Sequence, residues 1–272
     1  MEFRVGDFEF WHFQTHWFAL DGGAMFGVVP KVLWSRKIQA DDKNRIPMAT
    51  NLLLVKTHKD LVLVDTGLGE HWDEKGKQIF AIEPKNPWKN LPFGPEDVTL
   101  VVLTHLHFDH AGGNTTMDLR PAFPNARYVV QKGDLEEHQH PNERNRASYR
   151  PEDIDPIRDR LVVIEGDQEI APGVRVIRTG GHTKGHQVVL FESQGRGVLY
   201  MGDICPTIHH APLPWIMAYD LHPLETLEVR KRLYAEILKN RWYLVLEHDR
   251  HPQRGYLALE NGKYRIDPQP EP

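Results

Sequence analysis

"LVVLTHLHFDHAGGN", residues 100–114, decides how this chain is read. An aliphatic run passes directly into His105, His107, Asp109 and His110. A lone histidine is ordinary, whether on the surface or hydrogen-bonded in a core. Three histidines and a carboxylate in so short a span point to metal, because imidazole is the commonest metal ligand and carboxylate its usual oxygen companion. Residues two apart in extended chain point the same way, which groups His105 with His107. Asp109 and His110 are then free to turn elsewhere. Gly112 and Gly113 supply the backbone freedom expected of a crowded loop.

This cluster cannot complete a site alone, and the rest of the chain offers partners at strand ends. "RTGGHTKGHQ" carries His182, "LYMGDICP" carries Asp203, and "LVLEHDRH" carries His248. Each stands where a strand gives way to a loop, the usual place for functional groups held by a rigid sheet. Counted as ligands, His105, His107 and His182 give one ion three nitrogens. Asp109, His110 and His248 give a second ion one oxygen and two nitrogens. Asp203 bridges them, together with a hydroxide. Seven ligands are too many for one tetrahedral site.

The bulk numbers set the frame. The 272 residues suffice for one large α/β domain or two small ones. Neither a repeat nor a low-complexity linker divides them, so residues 1–272 read as a single domain. Hydrophobic residues at 40% and charged residues at 26% are ordinary for a soluble globular protein. A formal net charge of −5 gives no general footprint for nucleic acid. The single cysteine, Cys205, rules out an intramolecular disulfide and fits a reducing compartment. "MEFRVGDFEFWHF" does not read as a signal peptide, and no apolar run approaches the ~20 residues of a membrane span. The expectation is a cytoplasmic protein whose partner is a small molecule, with no nucleic acid and no membrane.

Strands are expected at 8–13, on both sides of a turn within 51–67, and at 98–105 and 126–131. Further strands are expected between 161 and 203 and at 241–249. "KGDLEEHQ" (132–139) reads as a short helix. "HPLETLEVRKRLYAEILKN" (222–240) is the clearest helix, with Leu224, Leu227, Tyr234, Ile237 and Leu238 on one side. "YLALENGKYRI" reads as a hairpin around Asn261-Gly262. The charged, Pro-containing stretch 140–160 reads as a surface excursion. Such an order suggests sheets packed on each other with helices outside.

The motifs "LVLVDTG", "THLHFDHAGG", "GGHTKGH", "GD" and the late histidine closely resemble, in order, the metallo-β-lactamase fold superfamily in its dinuclear HxHxDH branch. The resemblance implies a four-layer αββα sandwich with two metals at one edge between the sheets, held by the seven residues above. It also makes Asp65 the aspartate that orients a ligand histidine. Lys184 stands where related hydrolases often have proline, which concerns loop stiffness and local charge. His186 reads equally as a support to the site or as a strand-start residue. His12, His16, His58, His71, His138, His140, His222 and His251 read as surface or core residues.

Two divalent ions, two aspartates and a hydroxide leave one positive charge, which favours reactions that build negative charge on a substrate. Metal binding brings the pKa of water down toward roughly 7, so hydroxide is available at neutral pH. No GxSxG nucleophile motif is present, and Cys205 reads as a packing residue. The expected activity is hydrolysis, with Asp109, Asp203 and His210 as the catalytic candidates.

"DICPTIHHAPLPWIMAYD" (203–220) resembles lactonase-like, YtnP-like proteins. That resemblance makes His210 a proton donor to a leaving alkoxide, or a contact to the substrate carbonyl. Acyl-homoserine-lactone lactonases often carry a tyrosine three residues after the bridging aspartate, where this chain has Pro206. In "FALDGGAMFGVVPKVLW" (18–34), Met25 and Phe26 are candidates to shape a substrate pocket. Core packing or a homodimer contact serves that segment as well. Lactone or carboxylic-ester hydrolysis is the leading reading. Phosphotriester or phosphodiester hydrolysis on the same centre is the second. An iron-dependent sulfur oxygenase, or a metal-binding protein without turnover, is the third. Zinc leads among the metals, while iron, manganese and cobalt also suit mixed His/Asp sites.

Overall fold

The computed structural model describes residues 2–272. Eight strands form the first sheet: β1 (Glu2–Val5), β2 (Phe8–Asp21), β3 (Arg45–Lys56), β4 (Leu61–Val64), β5 (Glu83–Pro84), β6 (Leu100–Val102), β7 (Arg127–Gln131) and β8 (Leu161–Ile164). Their order is β1-β2-β3-β4-β6-β7-β8, with β5 added to β2. The second sheet is β9 (Gln168–Ala171), β10 (Val174–Arg178), β11 (Gln187–Ser193), β12 (Arg196–Tyr200), β13 (Tyr243–Val245), β14 (Arg254–Glu260) and β15 (Lys263–Pro268), in the order β15-β14-β13-β12-β11-β10-β9.

Period-two burial explains the layering. Val62 and Val64 of β4 face inward with Val102 of β6, meeting Val176, Val189, Phe191, Val198 and Tyr200 of the second sheet in one core. The intervening Leu61 and Leu63 face outward beneath Tyr149, Ile154 and Ile157. On the other side, Leu190, Leu199 and Leu244 lie beneath the helix Pro223–Asn240. Helices outside two facing sheets make the expected αββα sandwich.

Several local readings need correction. The buried stripe of Pro223–Asn240 is Thr226, Val229, Arg230, Leu233, Tyr234 and Ile237, while Leu224 is 77% exposed. A hydrophobic pattern passes over Arg230, yet its guanidinium is buried because it donates to the carbonyls of Ile204, His210 and Trp215. Residues 140–160 are no surface excursion, since Tyr149, Ile154 and Ile157 cover the first sheet. Arg150 pins that cover by pairing with buried Asp153 and donating to the carbonyl of His71. The short strand β9 carries no clear apolar pattern, with two exposed residues and two half-buried ones. The hairpin is as expected, with Asn261 and Gly262 at φ 50° and 75° in the conformation of a two-residue turn. Among the described residues, no helix is long and apolar enough to cross a membrane.

Candidate metal centre

Strand direction gathers the chemistry at one edge. β4, β6 and β7 run parallel, so the segments leaving β4 and β6 emerge side by side. Asp65 follows β4, and Thr104 to His110 follow β6. In the second sheet β12 and β13 are also parallel and deliver Asp203 and His248. His182 lies in the β10–β11 connection.

All seven expected ligands meet there. His105, His107 and His182 form one group with donor atoms within 4.8 Å of one another, and Asp109, His110 and His248 form another. Asp203 lies between them: Oδ2 is 3.1 Å from His182 Nε2, and Oδ1 is 3.1 Å from His248 Nε2. All seven residues are buried.

The hydrogen-bond partners behind three of the imidazoles say what the centre is built to hold. His182 Nδ1 donates to Asp220 Oδ1 (2.9 Å), His110 Nδ1 to Asp65 Oδ2 (3.0 Å), and His248 Nδ1 to the Ala49 carbonyl (2.9 Å). These acceptors have no proton to give, so each ring keeps its Nδ1–H outward and turns its Nε2 inward. His248 Nε2 and His110 Nε2 then face each other at 3.2 Å, and His182 Nε2 faces His107 Nδ1 at 3.1 Å. Nitrogens this close repel unless a cation, a proton or a metal ion, lies between them. His105 Nε2 and one Asp203 oxygen also have no hydrogen-bond partner. The donor set fits transition-metal ions, with His105, His107 and His182 able to hold one and Asp109, His110 and His248 a second.

The electrostatics agree. Burial, reinforced by the neighbouring imidazoles, drives His105 and His107 well below the usual histidine range, leaving neutral donors. Burial opposes the charge on Asp203, but His182, His248 and His110 hold its carboxyl well below the usual range. Burial likewise opposes a charged His248, and Asp203 nonetheless pushes it up to about 9. The pocket is a strong cation trap.

The supporting shell is partly as expected. Asp65 Oδ1 accepts from Thr104 N and Oδ2 from Thr104 Oγ1, each at 2.7 Å, while Oδ2 faces His110. Its own φ of 56° is unusual for a residue with a Cβ. Gly112 and Gly113 need closeness rather than freedom, and Gly112 has an ordinary φ of −60°. A Cβ on Gly112 would lie 2.3 Å from the Leu68 carbonyl oxygen, and one on Gly113 2.2 Å from that of Thr66. His186 is resolved as a support: its Nε2 accepts from the backbone N–H of Asp203 (3.0 Å), and its Nδ1 donates to Thr179 Oγ1 (2.6 Å). Cys205 is buried among Leu199, Met201 and Ile204, as a packing residue should be.

A cavity of about 230 Å³ opens onto the centre, lined by Leu20, Met25, Phe80, Phe108 and Met217 beside Arg144, Ser148 and Tyr219. Met25 is where the sequence suggested. Phe26 is not: it is fully buried, stacked between Trp34 and His210. His210 also differs from expectation. It is fully buried and outside the lining, its Nε2 donating to the Met25 carbonyl (2.8 Å) and its Nδ1 accepting from Thr207 Oγ1 (2.7 Å). Burial lowers it to about 3. With both nitrogens engaged and the ring neutral, its place is that of a tie between Met25 and Thr207, and the proton-donor and substrate-contact roles find no geometry.

Residues 45–248 match the family model of the metallo-beta-lactamase superfamily. The chain belongs to that superfamily. Among relatives of this superfamily member, an N-acyl homoserine lactonase from Bacillus sp is 33% identical over 218 residues, covering 74% of this chain and 82% of that protein. A probable metal-dependent hydrolase from Staphylococcus aureus superposes with a TM-score of 0.90 at 30% identity, covering 97% of this chain and 98% of that one. An N-acyl homoserine lactone hydrolase, solved with N-hexanoyl-L-homoserine at its catalytic metal centre, gives 0.67 at 26% identity over 88% and 92%.

Four residues of this superfamily member escaped the sequence reading. Asp220 behind His182 lies 38 residues away in irregular chain and left no local signal. Glu247, fully buried next to His248, was visible as an acid inside the aliphatic run "LVLEH". Tyr219 and Arg144 at the cavity come from loops whose approach no spacing foretells.

Proposed function

We propose that this metallo-hydrolase opens lactones, N-acyl homoserine lactones among them, and cleaves carboxylic esters more slowly. Two divalent ions would be held by His105, His107 and His182 and by Asp109, His110 and His248, with Asp203 between them and zinc as the first choice of metal. Bound there, the ions supply a water ionised near neutral pH and polarise a carbonyl oxygen. The observation that carries this reading is the convergence of outward-anchored imidazoles on two sets of donors at the floor of a largely apolar cavity.

The chain's own groups do the rest. Leu20, Met25, Phe80, Phe108 and Met217 take an acyl chain and keep water from the ester bond. The cavity is smaller than the usual ~300–1,000 Å³ of small-molecule sites, which favours a ring with a short chain. Burial, with the charges of Asp109, Asp21 and Asp203, pushes the Tyr219 phenol up to about 12, so it keeps its proton at neutral pH. Among the described residues no hydrogen bond claims that hydroxyl, which leaves it to donate to a substrate oxygen. Arg144 Nη2 donates to the Ala218 carbonyl (2.5 Å), tying the 140–150 segment to the loop that carries Tyr219.

The test is a panel run on metal-loaded protein: N-acyl homoserine lactones of graded chain length, an aryl ester and a phosphotriester. Lactones should lead, short chains first. Phosphotriester turnover orders of magnitude above every lactone would overturn the reading.

A further inference from the structure

Glu247 has a burial that nothing else in the fold accounts for. It is fully buried, and neither of its carboxylate oxygens has a hydrogen-bond donor of good geometry. The nearby Tyr200 hydroxyl donates instead to the Asn51 carbonyl (2.9 Å). The side chain is not needed to hold its strand either. The main chain there is fastened by Asn51, whose backbone N–H donates to the Glu247 carbonyl (2.9 Å) and whose Nδ2 donates to the Asp249 carbonyl (2.8 Å).

What Glu247 faces is His110. Oε2 lies 3.1 Å from His110 Nδ1, the same nitrogen that stands 3.0 Å from Asp65 Oδ2. One N–H thus has two carboxylates behind it. Asp65 is already satisfied by Thr104 N and Thr104 Oγ1. A second buried anion beside it is a cost, since like charges repel and no donor offsets the lost hydration. No lysine or arginine pairs with Glu247 among the described residues. Burial, with Asp65 adding to it, pushes the Glu247 carboxyl up to about 8 against the pull of His110, and a cation held beyond the ring, where His110 Nε2 points toward Asp109 and His248, would offset that cost. The other anchored rings are served differently: His182 by the single carboxylate of Asp220, His248 by a neutral carbonyl.

We propose that Glu247 is a positioning residue for the ion of the Asp109, His110 and His248 group. Together with Asp65 it makes His110 the most electron-rich ligand of the centre, and its charge rather than its shape sets how firmly that ion stays. The inference rests on the ligand assignment under Proposed function, and the controls separate the two.

The experiment reads metals per chain by elemental analysis after the zinc-loaded protein is dialysed against graded chelator. Glu247→Gln keeps the size and an acceptor while removing the charge. It should lose one ion at about 10–100-fold lower chelator than the wild type, the range seen when an outer partner of a ligand is removed. The other ion should be released at the wild-type concentration, and the melting temperature at saturating zinc should be unchanged. Glu247→Asp, which restores the charge at a shorter reach, should recover part of the retention and decides the matter if the Gln variant does not fold. Asp109→Ala is the control for the ligand set. If it loses one ion while Glu247→Gln and Glu247→Asp hold two like the wild type, the inference fails alone. If Asp109→Ala also holds two, the ligand assignment fails with it. Loss of both ions together with a lowered melting temperature would make Glu247 a structural residue and also overturn the proposal.

Discussion

The two halves of the metal centre are supported unequally. Among the described residues the only carboxylate behind a ring of His105, His107 and His182 is Asp220, and His105 Nδ1 meets nothing stronger than the Thr104 hydroxyl at 3.1 Å. Around Asp109, His110 and His248 a ligand carboxylate is present, and two more stand behind His110. Three imidazoles make the first half; charge makes the second. Two ions in one pocket are therefore expected to differ in affinity, because an outer carboxylate raises ligand basicity and fixes ring orientation. The first half relies on nitrogen number, and the second on anions, with Asp203 common to both.

The hardest blow to that comparison is Asp203→Ala. It removes the one group shared by both halves, so metal content should fall for both ions, and lactone turnover should drop on the order of 10³-fold, a loss of several kcal/mol. His248→Ala should instead cost mainly the second ion. Equal losses of both ions in His248→Ala, measured by elemental analysis, would mean that the halves are not separate.

Next in size are the outer carboxylates. Asp220→Asn should loosen the first ion and Asp65→Asn the second, each by about 10–100-fold in affinity. Competition with a chelating dye would show two variants weakened at different ions. The same ion weakened in both would break the comparison.

A smaller effect is expected outside the ligands. Tyr219→Phe should lower kcat by about tenfold, the worth of one hydrogen bond, with metal content unchanged. Loss of metal in this variant would place Tyr219 in the centre's support rather than at the substrate.

The smallest prediction concerns stability away from the metals. Burial, with Arg254 adding to it, lowers His12 to about 3, and burial lowers His16 to about 4. Between these values and the unfolded 6.5, the unfolded chain binds more protons, so this contribution is complete above about pH 6.5 and declines as the pH falls toward 3–4. Denaturant titrations from pH 7 to pH 4 should show a shallower fall for His12→Leu than for wild type. Parallel curves would contradict it.

Much of this was legible in sequence, for physical reasons that can be named. His105, His107, Asp109 and His110 share one loop, while His182, Asp203 and His248 each follow an apolar strand, so local pattern exposes all seven. Asp65 was legible from "VDTG". Asp220 was not, because its tie to His182 is made in irregular chain and its Oδ2 is fixed by Thr226 at the start of the next helix. His210 was misread because a histidine near a ligand looks chemical, and only the fold shows both of its nitrogens taken. Residues 140–160 looked like surface because their charges are frequent, whereas three spaced apolar residues and the Arg150–Asp153 pair seat them on the sheet.

The central claim is that two unequal ions together run one lactone-opening centre. The most direct test is to add zinc stepwise to metal-stripped protein while following the opening of a short-chain N-acyl homoserine lactone. The account predicts low activity through the first equivalent and a rise to a plateau at two per chain. A plateau reached at one equivalent, with a second ion bound and no further change in rate, would contradict it.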